Sequence, residues 1–69
     1  MRDWQSVYRD ELEYRAEIVR AVLDDNDMNP VLLNKKDSAY QLFGHFEVLV
    51  APDHIIKALK IINDEIRFE

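Results

Sequence analysis

The chain has 69 residues, a net charge of −5 and no cysteine. This length fits one domain with a small core. The lack of cysteine excludes disulfides and thiolate metal sites and is typical of a reducing cytoplasm. An acidic chain is repelled by nucleic acid, and no apolar run approaches the ~20 residues of a membrane helix. We therefore expect a single cytoplasmic domain over residues 1–69, with neither nucleic acid nor membrane among its partners.

The first half of the chain predicts a strand, a helix and a second strand. Residues 4–8 are rich in aromatic and β-favouring types, which indicates strand one. Asp10 is placed to cap helix one, whose apolar spacing runs to about Leu23. Asn26 or Asn29 would take the left-handed position that stops the helix. Pro30 then precedes a short apolar strand over residues 31–33.

The second half predicts strand three, helix two and a short fourth strand. Residues 46–50 form strand three, with Phe46, Val48 and Val50 on one face and Leu49 on the other. Pro52 suits the first turn of helix two. Its inward stripe comprises Ile55, Ala58, Leu59 and Ile62. Residues 65–68 alternate between charged and apolar types, as a half-buried strand would. Ile66 also continues the helical spacing, so a longer helix is the alternative.

This order of elements predicts an α+β fold of the ferredoxin-like kind. Right-handed crossovers place both helices on one face of an antiparallel βαββα sheet, with the fourth strand at the tail.

A central segment, residues 34–45, joins strands two and three. It is much longer than the usual hairpin loop of about 2–5 residues, and it holds the only glycine and the only adjacent lysine pair of the chain. Lysine charge, a serine hydroxyl, free backbone N–H groups at a turn and a stacking tyrosine suit an anionic ligand. The candidate ligand residues are Asn34, Lys35, Lys36, Asp37, Ser38, Tyr40 and Gly44. The alternative is a hairpin extension with solvated lysines.

Catalysis and cofactor binding find no support in the residue pattern. No nucleophile, base and orienting group can be assembled. His45 and His54 lack the spacing of a metal site. We predict that the protein is not an enzyme and that it has no cofactor.

The face of the sheet without helices predicts a contact surface. If Val48 faces the helices, Leu49 faces out, and strand one adds Trp4 and Tyr8 to the same side. An exposed apolar patch of this kind is typical of a protein interface. The alternative is that the tail or the central segment covers these side chains.

Several short motifs resemble a small bacterial family of unknown function, described as putative prokaryotic signal-transducing proteins. The matching residues are Trp4-x-x-Val7-Tyr8, Ala16-Glu17-Ile18, Leu33-Asn34-Lys35-Lys36-Asp37-Ser38-x-Tyr40, Gly44, Glu47-Val48 and Lys57-Ala58-Leu59. The resemblance covers nearly the whole chain and implies a plait related to the trimeric nitrogen-regulatory signalling proteins. It implies no specific chemistry.

Two functions are consistent with these patterns. The first is a non-enzymatic interaction or regulatory module that acts through protein–protein contacts, self-associating through Trp4, Tyr8 and Leu49 or binding another protein. The second is a sensor that binds an anionic metabolite or nucleotide at residues 34–45.

Overall fold

The computed structural model describes residues 3–36 and 44–68. The elements are β1 (Gln5–Asp10), α1 (Glu13–Asp25), β2 (Val31–Asn34), β3 (Phe46–Val50), a short 3-10 turn (Pro52–His54) and α2 (Ile55–Glu65). This βαββα order confirms the arrangement that the sequence predicts. Neither helix in these ranges has the length and apolar character needed to cross a bilayer.

The three strands form one antiparallel sheet with β3 in the centre, β1 on one side and β2 on the other. Strands β1 and β2 therefore run parallel, joined by α1 as a crossover. The helices pack on the face that carries Phe46, Val48 and Val50. The other face, which we call the open face, carries Glu47 and Leu49. The α+β plait is thus confirmed.

Small and branched apolar side chains hold the helices to the sheet. The buried residues are Ala16, Val19 and Leu23 on α1, Met28 after it, Phe46, Val48 and Val50 on β3, and Ala58 and Ile61 on α2. Burying each of the larger ones contributes about 1.5–3 kcal/mol before conformational entropy is subtracted.

Helix α1 ends in a Schellman motif. The Met28 N–H donates to Leu23 O at 3.2 Å, the Asp27 N–H donates to Asp24 O at 3.0 Å, and Asp27 has a φ of +62°. The hydrophobic contact that accompanies this motif is provided by Met28 and Leu23, which are both buried. The prediction that Asn26 or Asn29 stops the helix is therefore wrong: Asp27 takes the left-handed position, Asn26 has a φ of −99°, and Asn29 is left-handed only beyond the motif.

The start of α1 differs from the prediction that Asp10 caps it. Asp10 is the last residue of β1, because pairing with β3 continues to Phe46. The helix begins at Glu13, after an N-cap at Leu12. Asp10 still contributes locally, since its Oδ1 accepts the Leu12 N–H at 2.9 Å.

The structure does not place Trp4, Tyr8 and Leu49 together on one face of the sheet, as the sequence predicts. A β-bulge between Ser6 and Tyr8 shifts the register, so that Ser6 pairs with Leu49 and Tyr8 pairs with Val48. Tyr8 therefore points to the helix side, where it packs against the core. Trp4 lies before β1 and is half-buried.

The predicted fourth strand is also wrong, since residues 66–68 form no strand. Helix α2 continues to Glu65, and Ile66 then adopts an extended conformation. Ile66 and Phe68 pack against the core, whereas Arg67 is exposed. The alternation of apolar and charged residues in the tail therefore reflects an extended segment, which packs on the core without strand hydrogen bonds.

Candidate functional site

A buried carboxylate on the open face gathers basic side chains from three parts of the chain. Glu47 lies on β3 opposite Arg9 of β1 and is only 5% exposed. Its Oε2 lies 2.5 Å from His45 Nε2, 3.5 Å from Lys35 Nζ and 3.7 Å from the Arg9 guanidinium. We call Arg9, Lys35, His45 and Glu47 the Glu47 cluster.

The surroundings of Glu47 favour its ionised form. The hydrogen bond with His45 lowers the pKa of Glu47 most, and burial opposes this effect. The Ser6 hydroxyl, Lys35 and Arg9 lower the pKa further. The carboxylate is therefore a fixed negative charge at neutral pH.

One carboxylate does not neutralise this many positive groups. Arg9 and Lys35 alone give the Glu47 cluster an excess positive charge. The contacts of Arg9 and Lys35 with Glu47 are longer than ordinary N–H···O hydrogen bonds. Their side chains are 65% and 50% exposed. Both remain accessible to an additional anionic group.

Gly44 is required where the chain enters β3. Its φ is +106°, and a Cβ there would lie 2.6 Å from Lys36 Cα and 2.8 Å from Lys35 O. No side chain fits this close approach of two backbones. The Lys35 N–H donates to His45 O at 2.9 Å, which holds the same pair of segments together.

The structure brings together part of the predicted ligand set and separates the two lysines. Asn34 Oδ1 accepts the Lys36 N–H at 2.9 Å. Lys35 reaches Glu47 on the open face, whereas Lys36 Nζ lies 5.5 Å from the centre of the Phe46 ring. Asp37, Ser38 and Tyr40 lie outside the described residues.

An open groove of about 520 Å³ lies where β1 ends and β3 begins. It is lined by Arg9, Asp10, Glu11, Gly44 and His45. The lining therefore combines Arg9 and His45 of the Glu47 cluster with the carboxylates of Asp10 and Glu11. Of these five residues, only Gly44 belongs to the ligand set that the sequence predicts.

Asp10 forms a rigid part of the groove. Its Oδ2 accepts the Tyr8 hydroxyl at 2.6 Å and lies 3.7 Å from the Arg15 guanidinium. Burial alone would raise the pKa of Asp10, but the hydrogen bonds from Tyr8 and Leu12 lower it. Burial and the same Asp10 contact raise the pKa of Tyr8 to about 12.

The helices also expose apolar side chains that the sequence pattern did not identify as a surface. Ile56 is 85% exposed and Tyr14 is 59% exposed, and Ile18 and Leu59 are exposed as well. The prediction placed Leu59 in the inward stripe, but Ile61 takes that position. The sequence does contain a signal for this exposure. The apolar residues at positions 14 and 18 of α1, and at 56 and 59 of α2, fall on the side of each helix away from its buried residues.

Among residues 3–36 and 44–68, no three histidine, aspartate or glutamate side chains are grouped as a metal site requires.

Comparison with known proteins identifies the family. A family model described as "Putative prokaryotic signal transducing protein" matches residues 4–66. The chain belongs to this family. No curated protein and no solved structure gives a significant match. The description of the family indicates a role in signal transduction and names neither a ligand nor a partner.

Proposed function

We propose that the protein is a non-enzymatic regulatory module that transmits a signal through protein–protein contacts, and that its partner is a second copy of the chain. The observation that carries this proposal is the set of exposed apolar side chains on the outward side of both helices. We call Tyr14, Ile18, Ile56 and Leu59 the helix-layer surface.

The spacing of these residues makes a continuous stripe on each helix. Tyr14 and Ile18 are four residues apart on α1, and Ile56 and Leu59 are three residues apart on α2, so each pair shares a face. The two helices contact each other. Exposed apolar patches on small soluble domains mark interaction surfaces.

A second copy is the partner that this surface suits best. A two-fold interface needs a surface that can face its own copy, and both exposed pairs lie on the helix side of the sheet. A 69-residue domain also buries a smaller share of its surface than a larger domain does, and association adds to that burial.

The absence of enzymatic activity is part of the proposal, and the contacts of the acidic residues support it. The Asp10 carboxylate accepts hydrogen bonds from the Tyr8 hydroxyl and the Leu12 N–H. The Glu47 carboxylate contacts the other three members of the Glu47 cluster. These carboxylates serve as fixed charges rather than as proton-transfer groups with a pKa near neutrality.

Light scattering coupled to size-exclusion chromatography tests the self-association. We expect the wild-type chain to form a dimer at micromolar concentration and Ile56→Asp and Ile18→Asp to be monomeric. Asn29→Asp is the matched control, because it adds the same charge at an exposed position outside both helices. A monomeric wild type, or a dimer that survives Ile56→Asp, would contradict the proposal.

A second candidate function, the sensing of an anionic metabolite or nucleotide, is favoured by the Glu47 cluster. Its Arg9 and Lys35 side chains are exposed and carry more positive charge than Glu47 neutralises. We expect the double variant Lys35→Ala/Lys36→Ala to lose the thermal stabilisation that a ligand gives the wild type. The control is Lys57→Ala/Lys60→Ala, which removes two exposed lysines from α2. Equal stabilisation of the two double variants by every ligand would rule this candidate out.

A further inference from the structure

The open face of the sheet carries apolar side chains beside the Glu47 cluster. Strand pairing places Leu33 opposite Glu47, and directly opposed residues of an antiparallel pair share a face. Val31 is opposite Leu49 in the same way. Leu32 packs against the core, so its two neighbours on β2 point away from the core. We call Val31, Leu33 and Leu49 the apolar strip.

The apolar strip is partly open to solvent. Its three side chains are half-buried, and neither helix covers them, because both helices pack on the other face. Apolar area that is bordered by polar and charged groups is typical of a binding surface.

The basic end of the open face has more positive charge than its carboxylate neutralises. Arg9 and Lys35 approach Glu47 from the two neighbouring strands, and both are exposed. Their distances to Glu47 are longer than those of ordinary hydrogen bonds, so both retain donors for a further acceptor. The excess of one positive charge matches a ligand with a single carboxylate, a group that the guanidinium fork can bind through two hydrogen bonds.

The charged and apolar parts adjoin on one surface. Arg9 and Leu33 lie on either side of Glu47, and Leu49 lies two residues further along β3 on the same face. Residues two apart on a strand are about 7 Å apart. An alkyl chain whose charged end contacts Arg9 and Lys35 therefore reaches Leu33 and Leu49 within a few methylene groups.

We propose that the open face binds a free medium-chain carboxylic acid, with its carboxylate at Arg9 and Lys35 and its alkyl chain along the apolar strip. Glu47 is then a positioning residue, which holds the two basic side chains over the end of the strip. This inference rests on the second candidate function and names its ligand class. The helix-layer surface lies on the other side of the sheet and remains free for a second copy.

Amide NMR titration of the full chain with hexanoate and decanoate, both below the concentration at which micelles form, tests the ligand class. We expect saturable shifts at Leu33, Lys35 and Leu49 from decanoate. Each methylene that lies on an open apolar surface adds about twofold in affinity, so hexanoate should bind at least about tenfold more weakly. Decyltrimethylammonium has an alkyl chain of the same kind and the opposite charge, and it should not shift these residues.

Variants locate the two ends of the ligand. Arg9→Gln and Lys35→Gln each remove one positive charge, and we expect each to weaken decanoate binding at least about fivefold. Arg67→Gln and Lys60→Gln make the same changes at exposed positions outside the sheet and should bind as the wild type does. Leu49→Thr should reduce the advantage of decanoate over hexanoate. Equal weakening by the two pairs of variants would overturn the proposed position of the carboxylate.

The outcomes separate this inference from the function on which it rests. If hexanoate binds as tightly as decanoate, the apolar strip takes no part, and the inference is wrong while the sensing of anions stands. The same holds if phosphate or a nucleotide shifts these residues and decanoate does not. If the chain co-sediments with phosphatidylglycerol vesicles but does not bind free decanoate, the occupant is a membrane surface and the inference is wrong. If no probe of any kind binds, both the inference and the sensing function fall.

Discussion

The helix-layer surface and the charged groove differ in both chemistry and construction. The helix-layer surface is apolar and lies on regular helices, whose positions are fixed by the buried sides of α1 and α2. The groove is charged and is built where strands end, from side chains that segments distant in sequence bring together. The first is suited to a broad, dry protein contact, whereas the second is suited to a small polar ligand.

One residue connects the two regions. Asp10 lines the groove, and it also accepts the N–H of Leu12, the residue that precedes α1. Changes at Asp10 therefore test whether the groove and the start of α1 depend on each other.

The largest expected effect comes from Gly44→Ala, which distorts the groove without touching the helix-layer surface. The new Cβ would meet the backbone of Lys35 and Lys36 at 2.6–2.8 Å, at a positive φ. We expect the free energy of unfolding to fall by about 2–3 kcal/mol, measured by urea denaturation followed by circular dichroism. Asn63→Ala, at an exposed position of α2, is the control. A loss below about 0.5 kcal/mol would show that the close approach is not rigid.

An intermediate effect is expected from Asp10→Ala, which breaks the connection between groove and helix. The Tyr8 hydroxyl and the Leu12 N–H both lose a charged acceptor, which costs about 2 kcal/mol. The same urea titration measures the loss. The control Asp25→Ala removes an exposed acid from the end of α1 and should leave stability unchanged or slightly raised. If both variants behave alike, Asp10 is only another surface charge.

A smaller effect is expected from Glu47→Gln, which changes the charge of the Glu47 cluster and keeps its shape. At pH 7 we expect a loss of about 1 kcal/mol, since Arg9 and Lys35 repel each other without the carboxylate. The pKa of Glu47 is below its ordinary value of 4.5 in the folded state. Its stabilising effect is therefore complete above that pH and is lost as the pH falls further.

The pH dependence provides the check on that prediction. The difference in stability between wild type and Glu47→Gln should stay constant from pH 7 down to 4.5 and shrink as the pH falls below that value. Glu65→Gln, at the exposed end of α2, should follow the wild type at every pH. A difference that does not shrink below pH 4.5 would mean that the charge of Glu47 contributes nothing.

Most of the fold follows from short-range patterns in the sequence. The alternation of β3, the apolar stripe of α1 and the proline before α2 each reflect burial or backbone geometry within a few residues. The bulge between Ser6 and Tyr8 has no such local signal, because it depends on how β1 aligns with β3. That single register shift places Tyr8 on the helix side, away from Leu49, with which the sequence pattern grouped it.

The candidate site was less predictable for the same reason. The lysine pair and Gly44 mark the central segment, but Arg9 and Glu47 join it only when β1 and β3 pair. A periodic pattern of apolar residues also cannot tell which of Leu59 and Ile61, two residues apart on α2, is the more buried. Which of them is buried is decided by the angle at which the helix meets the sheet.

The most direct test of the central claim is a dilution series of the wild-type chain followed by amide NMR. The claim is that the helix-layer surface, and not the open face of the sheet, is the contact surface. We expect concentration-dependent shifts at Tyr14, Ile18, Ile56 and Leu59, with Leu33 and Leu49 unchanged. Shifts at Leu33 and Leu49 instead, or a spectrum independent of concentration, would contradict it.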